Sequence, residues 1–122
     1  MSKNVYVIED NAKNMKLFHA ILKIIPNIDI FSETRGDLGL ELIKAGNPDL
    51  IILDIQLPEK SGIEIVKEIR SIEKFKKIPI IAVTSFAMKG DKDRILAAGF
   101  DEYISKPIRV QEFRELVKSL LK

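Results

Sequence analysis

Short apolar runs alternate with helical periodicity five times along this chain. The runs at residues 5–8, 28–31, 50–53, 78–83 and 102–104 predict strands, and residues 13–25, 36–45, 61–72, 89–98 and 110–121 predict helices. The last helix is the most regular: Val110, Phe113, Leu116, Val117, Leu120 and Leu121 recur at helical spacing, with charges on the other face. Punctuation agrees, because Pro26-Asn27 ends the first helix, Gly46-Asn47-Pro48 the second and Gly99 the fourth. Strict alternation of strand and helix implies a parallel sheet covered on both faces. Five such units predict an α/β, doubly wound, five-stranded parallel sheet of flavodoxin-like (βα)5 order 2-1-3-4-5.

The central run, Asp49-Leu50-Ile51-Ile52-Leu53-Asp54, is apolar enough to be buried on both faces, and it ends on a carboxylate. Asp54 is therefore expected to surface at the edge of the sheet where such folds carry their chemistry. The order 2-1-3-4-5 places strands one and three side by side. Glu9-Asp10, which closes strand one, should then lie next to Asp54.

At 122 residues the chain is expected to be one domain, residues 1–122, with no stretch left for a second, output domain. A chain this size buries roughly two-thirds of its unfolded surface, enough for a core without staples. It contains no cysteine, so disulfides and thiolate metal sites are excluded. Met1-Ser2-Lys3-Asn4 runs straight into a strand pattern, with no signal peptide or long apolar span, which predicts a soluble, cytoplasmic protein without membrane insertion. The net charge of +2 comes from scattered lysines and one cluster at Lys74, Lys76 and Lys77. No basic stripe interleaved with aromatics is present, so nucleic acid is not an expected partner.

Three acids at one sheet edge need a cation. Two carboxylates about 4 Å apart repel by about 4 kcal/mol at an effective dielectric near 20. Oxygen donors of this kind suit Mg²⁺. Each acid also has a plainer reading: Asp10 as a helix N-cap, Asp54 as a turn residue before Leu57-Pro58. Thr84 and Lys106 end the fourth and fifth strands. A threonine hydroxyl can donate to a phosphoryl oxygen, and a lysine ammonium can pair with a carboxylate or a phosphoryl group. Singly, they read as a turn cap and a solvated charge. Pro107 makes the Lys106-Pro107 bond a candidate cis peptide.

With these residues in order, the chain resembles the receiver domain of two-component response regulators, the CheY-like family. The resemblance runs from Val5 into the last helix. It rests on Val7-Ile8-Glu9-Asp10-Asn11, on Leu53-Asp54-Ile55-Gln56-Leu57-Pro58 with Ser61-Gly62, on Ala82-Val83-Thr84, and on Ile104-Ser105-Lys106-Pro107. Within the family it is most similar to the DivK-type single-domain cell-division regulators. That likeness lies in Asn14-Met15-Lys16-Leu17-Phe18-His19, Phe86-Ala87-Met88-Lys89-Gly90-Asp91 and Tyr103-Ile104-Ser105-Lys106-Pro107-Ile108.

The resemblance implies that Asp54 is the phosphoacceptor. Glu9 and Asp10, helped by Asp54 and the backbone carbonyl of Gln56, would hold Mg²⁺. Thr84 and Lys106 would contact the phosphoryl group, and Thr84 with Tyr103 would form the switch. It implies partners too: a histidine kinase or a histidine phosphotransfer protein, meeting a face from Met88 to Leu121. Glu9 departs from the commoner aspartate and lengthens one metal-side arm. Ser85 stands where many receivers carry alanine. His19 is the only histidine, and its mid-helix place does not make it a phosphoryl carrier.

The function expected is a response regulator that accepts a phosphoryl group on Asp54 and signals by phosphorylation-dependent binding, in cell-cycle or cell-division control. A phosphorelay intermediate is the close variant. A Mg²⁺-dependent aspartyl-phosphate phosphatase of the haloacid dehalogenase type would carry a second aspartate two residues after its nucleophile, where this chain has Gln56. An FMN carrier would have a Ser/Thr/Gly-rich first loop, whereas Glu9-Asp10-Asn11 repels phosphate.

Overall fold

Strands β1 (Lys3–Ile8), β2 (Ile28–Glu33), β3 (Leu50–Asp54), β4 (Ile80–Thr84) and β5 (Glu102–Ser105) alternate with helices α1 (Ala12–Ile24), α2 (Gly36–Ala45), α3 (Gly62–Ser71), α4 (Lys89–Ala98) and α5 (Val110–Leu120). This computed structural model describes residues 2–85 and 89–121. Phe86, Ala87 and Met88, part of the expected subgroup signature and the start of the expected partner face, lie outside the described residues. The strands form one sheet in the order β2-β1-β3-β4-β5, and every neighbouring pair is parallel. The doubly wound order expected from the alternation is the one observed.

Period two divides the core. Tyr6, Ile8, Ile51, Leu53, Ile80 and Ala82 face one way, into a core shared with α2, α3 and α4. Val5, Val7, Leu50, Ile52, Ile81 and Val83 face the other way, onto α1 and α5, where the rings of Phe18 and Phe113 meet at 5.0 Å. Every residue of β3 and β4 is buried, which explains why their sequences are unbroken apolar runs. Burying one such side chain contributes about 1.5–3 kcal/mol.

Local departures from the sequence reading have physical reasons. β4 begins at Ile80, not residue 78. Pro79 has no N–H for the ladder, and the Ile78 carbonyl accepts from the Arg70 guanidinium at 2.8 Å. Ser61 lies outside α3 as its N-cap, in a capping box with Glu64. The N-cap of α1 is Asn11, whose Oδ1 accepts the Asn14 N–H at 3.0 Å. That removes the capping reading of Asp10. A 3-10 turn at Glu73–Phe75, which no periodicity announced, carries part of the lysine cluster. There Lys74 donates to the Gly46 carbonyl at 2.7 Å.

α4 gives the core little of itself. Among its described residues Ile95 alone is buried. A Cβ added at Gly90 would meet nothing within 4 Å. Gly90→Ala is therefore expected to raise stability by about 0.5–1 kcal/mol, through helix propensity and a less flexible unfolded chain. A higher urea midpoint at unchanged m-value is the expected reading; a lower midpoint would contradict this packing.

Candidate functional site

Parallel pairing carries the acids together. Ile8 lies opposite Leu53, so Glu9 and Asp54 follow side by side at the C-terminal ends of β1 and β3. One carboxylate oxygen from each of Glu9, Asp10 and Asp54 lies within 4.8 Å of the others. Lys106 follows β5 directly, and its N–H donates to the Thr84 carbonyl at 2.8 Å. Continuing the alternation by one residue aims Glu9, Asp54 and Lys106 to the same side of the sheet, that of α1 and α5. The Lys106 ammonium reaches Asp54 Oδ2 at 2.9 Å and Glu9 Oε2 at 3.5 Å. The Lys106-Pro107 peptide bond is cis.

Asp54 leaves the sheet at the expected edge but does not surface: it is 2 % exposed. Lys106 covers Oδ2, and Oδ1 accepts the Gln56 N–H at 3.0 Å. That second bond is the turn role read for an aspartate here, so the turn and the site share one residue. Glu9 is fully buried, and its Oε2 also accepts the Asn11 N–H at 3.1 Å. Among the described residues its buried Oε1 has no hydrogen-bond partner, and Asp10 is exposed. An orphaned, buried carboxylate oxygen in an all-oxygen donor set fits a hard cation such as Mg²⁺.

Thr84 is buried at the end of β4. Tyr103, opposite Ala82, is half-buried and packs against the α2–α4 core. The Lys92 ammonium lies 5.7 Å from its ring centroid. Ser85 is exposed. His19 is half-buried and lines a shallow groove on α1 with Asp10, Met15 and Thr34.

Two contributors carried no expected role. Asn11 both caps α1 and donates to Glu9, and its position directly after the acid pair was the available signal. Gly62 opens α3 against the end of β3. A Cβ there would lie 2.4 Å from the Asp54 carbonyl oxygen and 2.7 Å from Ile55 Cα, so only glycine lets the helix start so close. The only trace of this in the sequence is a serine-glycine pair at a helix start.

Burial pushes the Glu9 carboxyl up from 4.5 to about 7, and the neighbouring Asp54 carboxylate adds to the rise, against the Asn11 N–H and Lys106. Burial pulls the Lys106 ammonium down, but its bond to Asp54 and the charges of both acids outweigh this, and the net direction is up. The sign for stability follows from Glu9. Below about pH 4.5 it is protonated in both folded and unfolded chains. Between about 4.5 and about 7 the unfolded chain releases a proton that the folded protein retains. Metal-free stability should therefore fall as pH rises through that window, by at most about 1.4 kcal/mol per pH unit. Urea midpoints in the presence of a chelator test this, and Glu9→Gln should flatten the slope. A slope as steep in the variant would assign the effect elsewhere.

The family pattern described as the response regulator receiver domain matches residues 5–118. The chain is 48% identical over 122 residues to a polar-differentiation response regulator DivK of Brucella ovis, covering 99% of this chain and 98% of the relative. It is 46% identical to the DivK of Brucella anthropi, with the same coverage. Among solved structures it resembles the receiver domain of a Pseudomonas aeruginosa sensor histidine kinase, in which a magnesium ion is coordinated in the active site cleft. That match has a TM-score of 0.89 at 26% identity, over 99% of this chain and 98% of the other. A Vibrio cholerae chemotaxis response regulator, at TM-score 0.91 and 21% identity over 99% of this chain and 100% of its own, shares the fold. Among the described residues no helix is long and apolar enough to cross a membrane.

Proposed function

This chain belongs to the response regulator receiver domain family, and from that premise we propose that it is a switch set by phosphorylation of Asp54. The observation that carries the reading is the buried Asp54 carboxylate, with an ammonium at 2.9 Å and two further acids within 4.8 Å. A partner phosphohistidine supplies the group. An Asp54 oxygen attacks phosphorus, the O–P bond forms as the P–N bond breaks, and the electron pair leaves on the imidazole nitrogen, which takes up a proton. Glu9, Asp10, Asp54 and the Gln56 carbonyl would hold Mg²⁺, which when bound neutralises charge on the phosphoryl oxygens.

Lys106 positions Asp54 before transfer and pairs with a phosphoryl oxygen afterwards. The Thr84 hydroxyl donates to another, and its movement makes room for Tyr103 to turn inward. The switch is thus one local charge biasing two arrangements of packed side chains. Gln56 stands where an aspartyl-phosphate phosphatase carries its general acid. The site therefore holds the phosphoryl group as a signal and is not built to turn over a substrate.

The 122 residues act as one receiver unit through their own surface, on residues 89–121 and the Met88 that precedes them. The DivK relatives are themselves covered to 98%, so nearly the whole length of those relatives corresponds to this one receiver unit. Their description as polar-differentiation response regulators supports a role in cell polarity or division, and membership of the receiver family supports cytoplasmic partners among histidine kinases or histidine phosphotransfer proteins. Incubation with Mg²⁺ and acetyl phosphate, followed by intact mass measurement, should give a single phosphoryl adduct. No adduct beside an active control receiver would sink the reading.

A further inference from the structure

The loop that carries Gln56 is built against a helix that offers no acid to the site. It spans residues 55–61, between β3 and α3. Its base is closed twice: the Ile55 N–H donates to the Val83 carbonyl at 3.0 Å, and the Gly62 N–H donates to the Ile55 carbonyl at 2.8 Å. Its tip turns on itself. The Lys60 N–H donates to the Pro58 carbonyl at 2.8 Å, and Glu59 between them has φ +72°, in the left-handed region. The same Pro58 carbonyl accepts the N–H of Gly36, the first residue of α2, at 3.2 Å.

Gly36 is buried, and a Cβ there would overlap the Lys60 carbonyl oxygen. It would also lie 3.0 Å from the Lys60 carbonyl carbon and 3.2 Å from the Pro58 carbonyl oxygen. All three atoms are backbone, so no side chain can swing aside, and either the loop or the helix would have to move. Glycine is needed here for close approach. Pro58 is two residues from Gln56, so a shift of the tip reaches the Gln56 carbonyl through Leu57 alone.

Side chains tie the same loop more weakly. Lys60 pairs with Glu68 at 3.2 Å, and Glu68 pairs with Lys44 of α2 at 3.1 Å. Arg35 approaches Glu59 at 3.9 Å. Lys60 is 30% exposed and Glu68 37%, so solvent screens their pair and it contributes little. The backbone contact at Gly36 is the one that cannot yield.

We propose that Gly36 is a positioning residue for the metal. By letting α2 start against the loop tip, it holds the Gln56 carbonyl where a cation at Glu9, Asp10 and Asp54 can use it. This rests on the site reading above. Metal affinity then depends on a helix that supplies none of the three acids.

Two measurements on the full chain test this. Amide shifts of Asp10 and Asp54, followed as Mg²⁺ is added without a phosphodonor, give the metal affinity. Gly36→Ala should weaken it about tenfold or more, the scale at which residues behind a metal's own ligands act. Lys60→Gln should leave it within about twofold. The second measurement uses the unaltered protein, so it decides the matter even where Gly36→Ala does not fold. Coupling is reciprocal: a loop contact that aids the metal is itself aided by the metal. Saturating Mg²⁺ should therefore slow hydrogen exchange of the Gly36 N–H severalfold more than that of the Gly46 N–H, which closes the other end of α2 on the Ile43 carbonyl. Equal metal affinity in Gly36→Ala and wild type, with or without a lower urea midpoint, would overturn the proposal, because Gly36 would then serve packing alone. So would equal slowing at Gly36 and Gly46. A loss in Lys60→Gln as large as that in Gly36→Ala would give the positioning to the ion pair instead. If the wild-type Asp10 and Asp54 amides do not respond to Mg²⁺, the metal site falls and the role of Gly36 with it; a response that Gly36→Ala leaves unchanged sinks the role of Gly36 alone.

Discussion

Asp54→Asn should take up no phosphoryl group from acetyl phosphate and Mg²⁺, where the wild-type protein takes up one. The amide is nearly isosteric, so the fold should persist, but it has no carboxylate oxygen to attack phosphorus. The variant also removes one of the two charges next to Glu9, so the upward push on that carboxyl weakens. Asparagine cannot satisfy both neighbours as aspartate does. One oxygen can accept from Lys106 or from the Gln56 N–H, and the NH2 group then faces the other donor. A modest loss of stability should therefore accompany complete loss of the adduct. Intact mass reads the first result, and a urea midpoint checks that the second stays small. An adduct persisting in a folded Asp54→Asn protein would move the acceptor to another residue.

Lys106→Ala is expected to have the largest effect on stability. It removes the cation that stands 2.9 Å from Asp54 and 3.5 Å from Glu9, and leaves two buried acids facing each other. Breaking a buried pair by deleting one partner costs about 3–5 kcal/mol. The lysine is 18% exposed, so some solvent screening remains, and Glu9 can relieve the repulsion by taking a proton. A loss near the lower end, about 3 kcal/mol at pH 7.5 without metal, is expected. It should shrink toward pH 5, where Glu9 is protonated, and Mg²⁺ should recover part of it. Phosphorylation should continue at a reduced level, because the nucleophile remains, but affinity for a partner kinase should no longer change with it. Equal stability of variant and wild type at both pH values would show that Lys106 is not the counter-charge. Unchanged partner response would remove it from the switch.

These two expectations draw on different kinds of legibility. The acids were visible at strand ends because β1 and β3 are short apolar runs with an abrupt polar stop. Alternation then implied a parallel sheet, and the sheet's order made those stops neighbours. Lys106 was visible as the end of a fifth strand, but its bond to Asp54 was not, because it joins residues 52 apart in sequence. Asp10 and Asn11 illustrate the limit of local reading. Asp10 read as the cap of α1, but the backbone path gave that place to Asn11 and left Asp10 to the acidic cluster. Asp54 illustrates another limit. A charged residue at a strand end reads as emerging into water, yet it is enclosed by Lys106, Gln56 and Glu9.

The pattern of apolar and polar positions determined the five units, the parallel sheet and which residues end its strands. Those properties follow from local periodicity and chain connectivity, which the order of residues carries directly. Only the tertiary structure decided what lies across from each strand end. The burial of Glu9 and its unpaired oxygen, the close start of α3 at Gly62, and the close start of α2 at Gly36 all depend on contacts between segments that the local pattern does not join. Burial and pairing at such contacts set the protonation of Glu9 and the place of the loop between β3 and α3, and no local propensity encodes either.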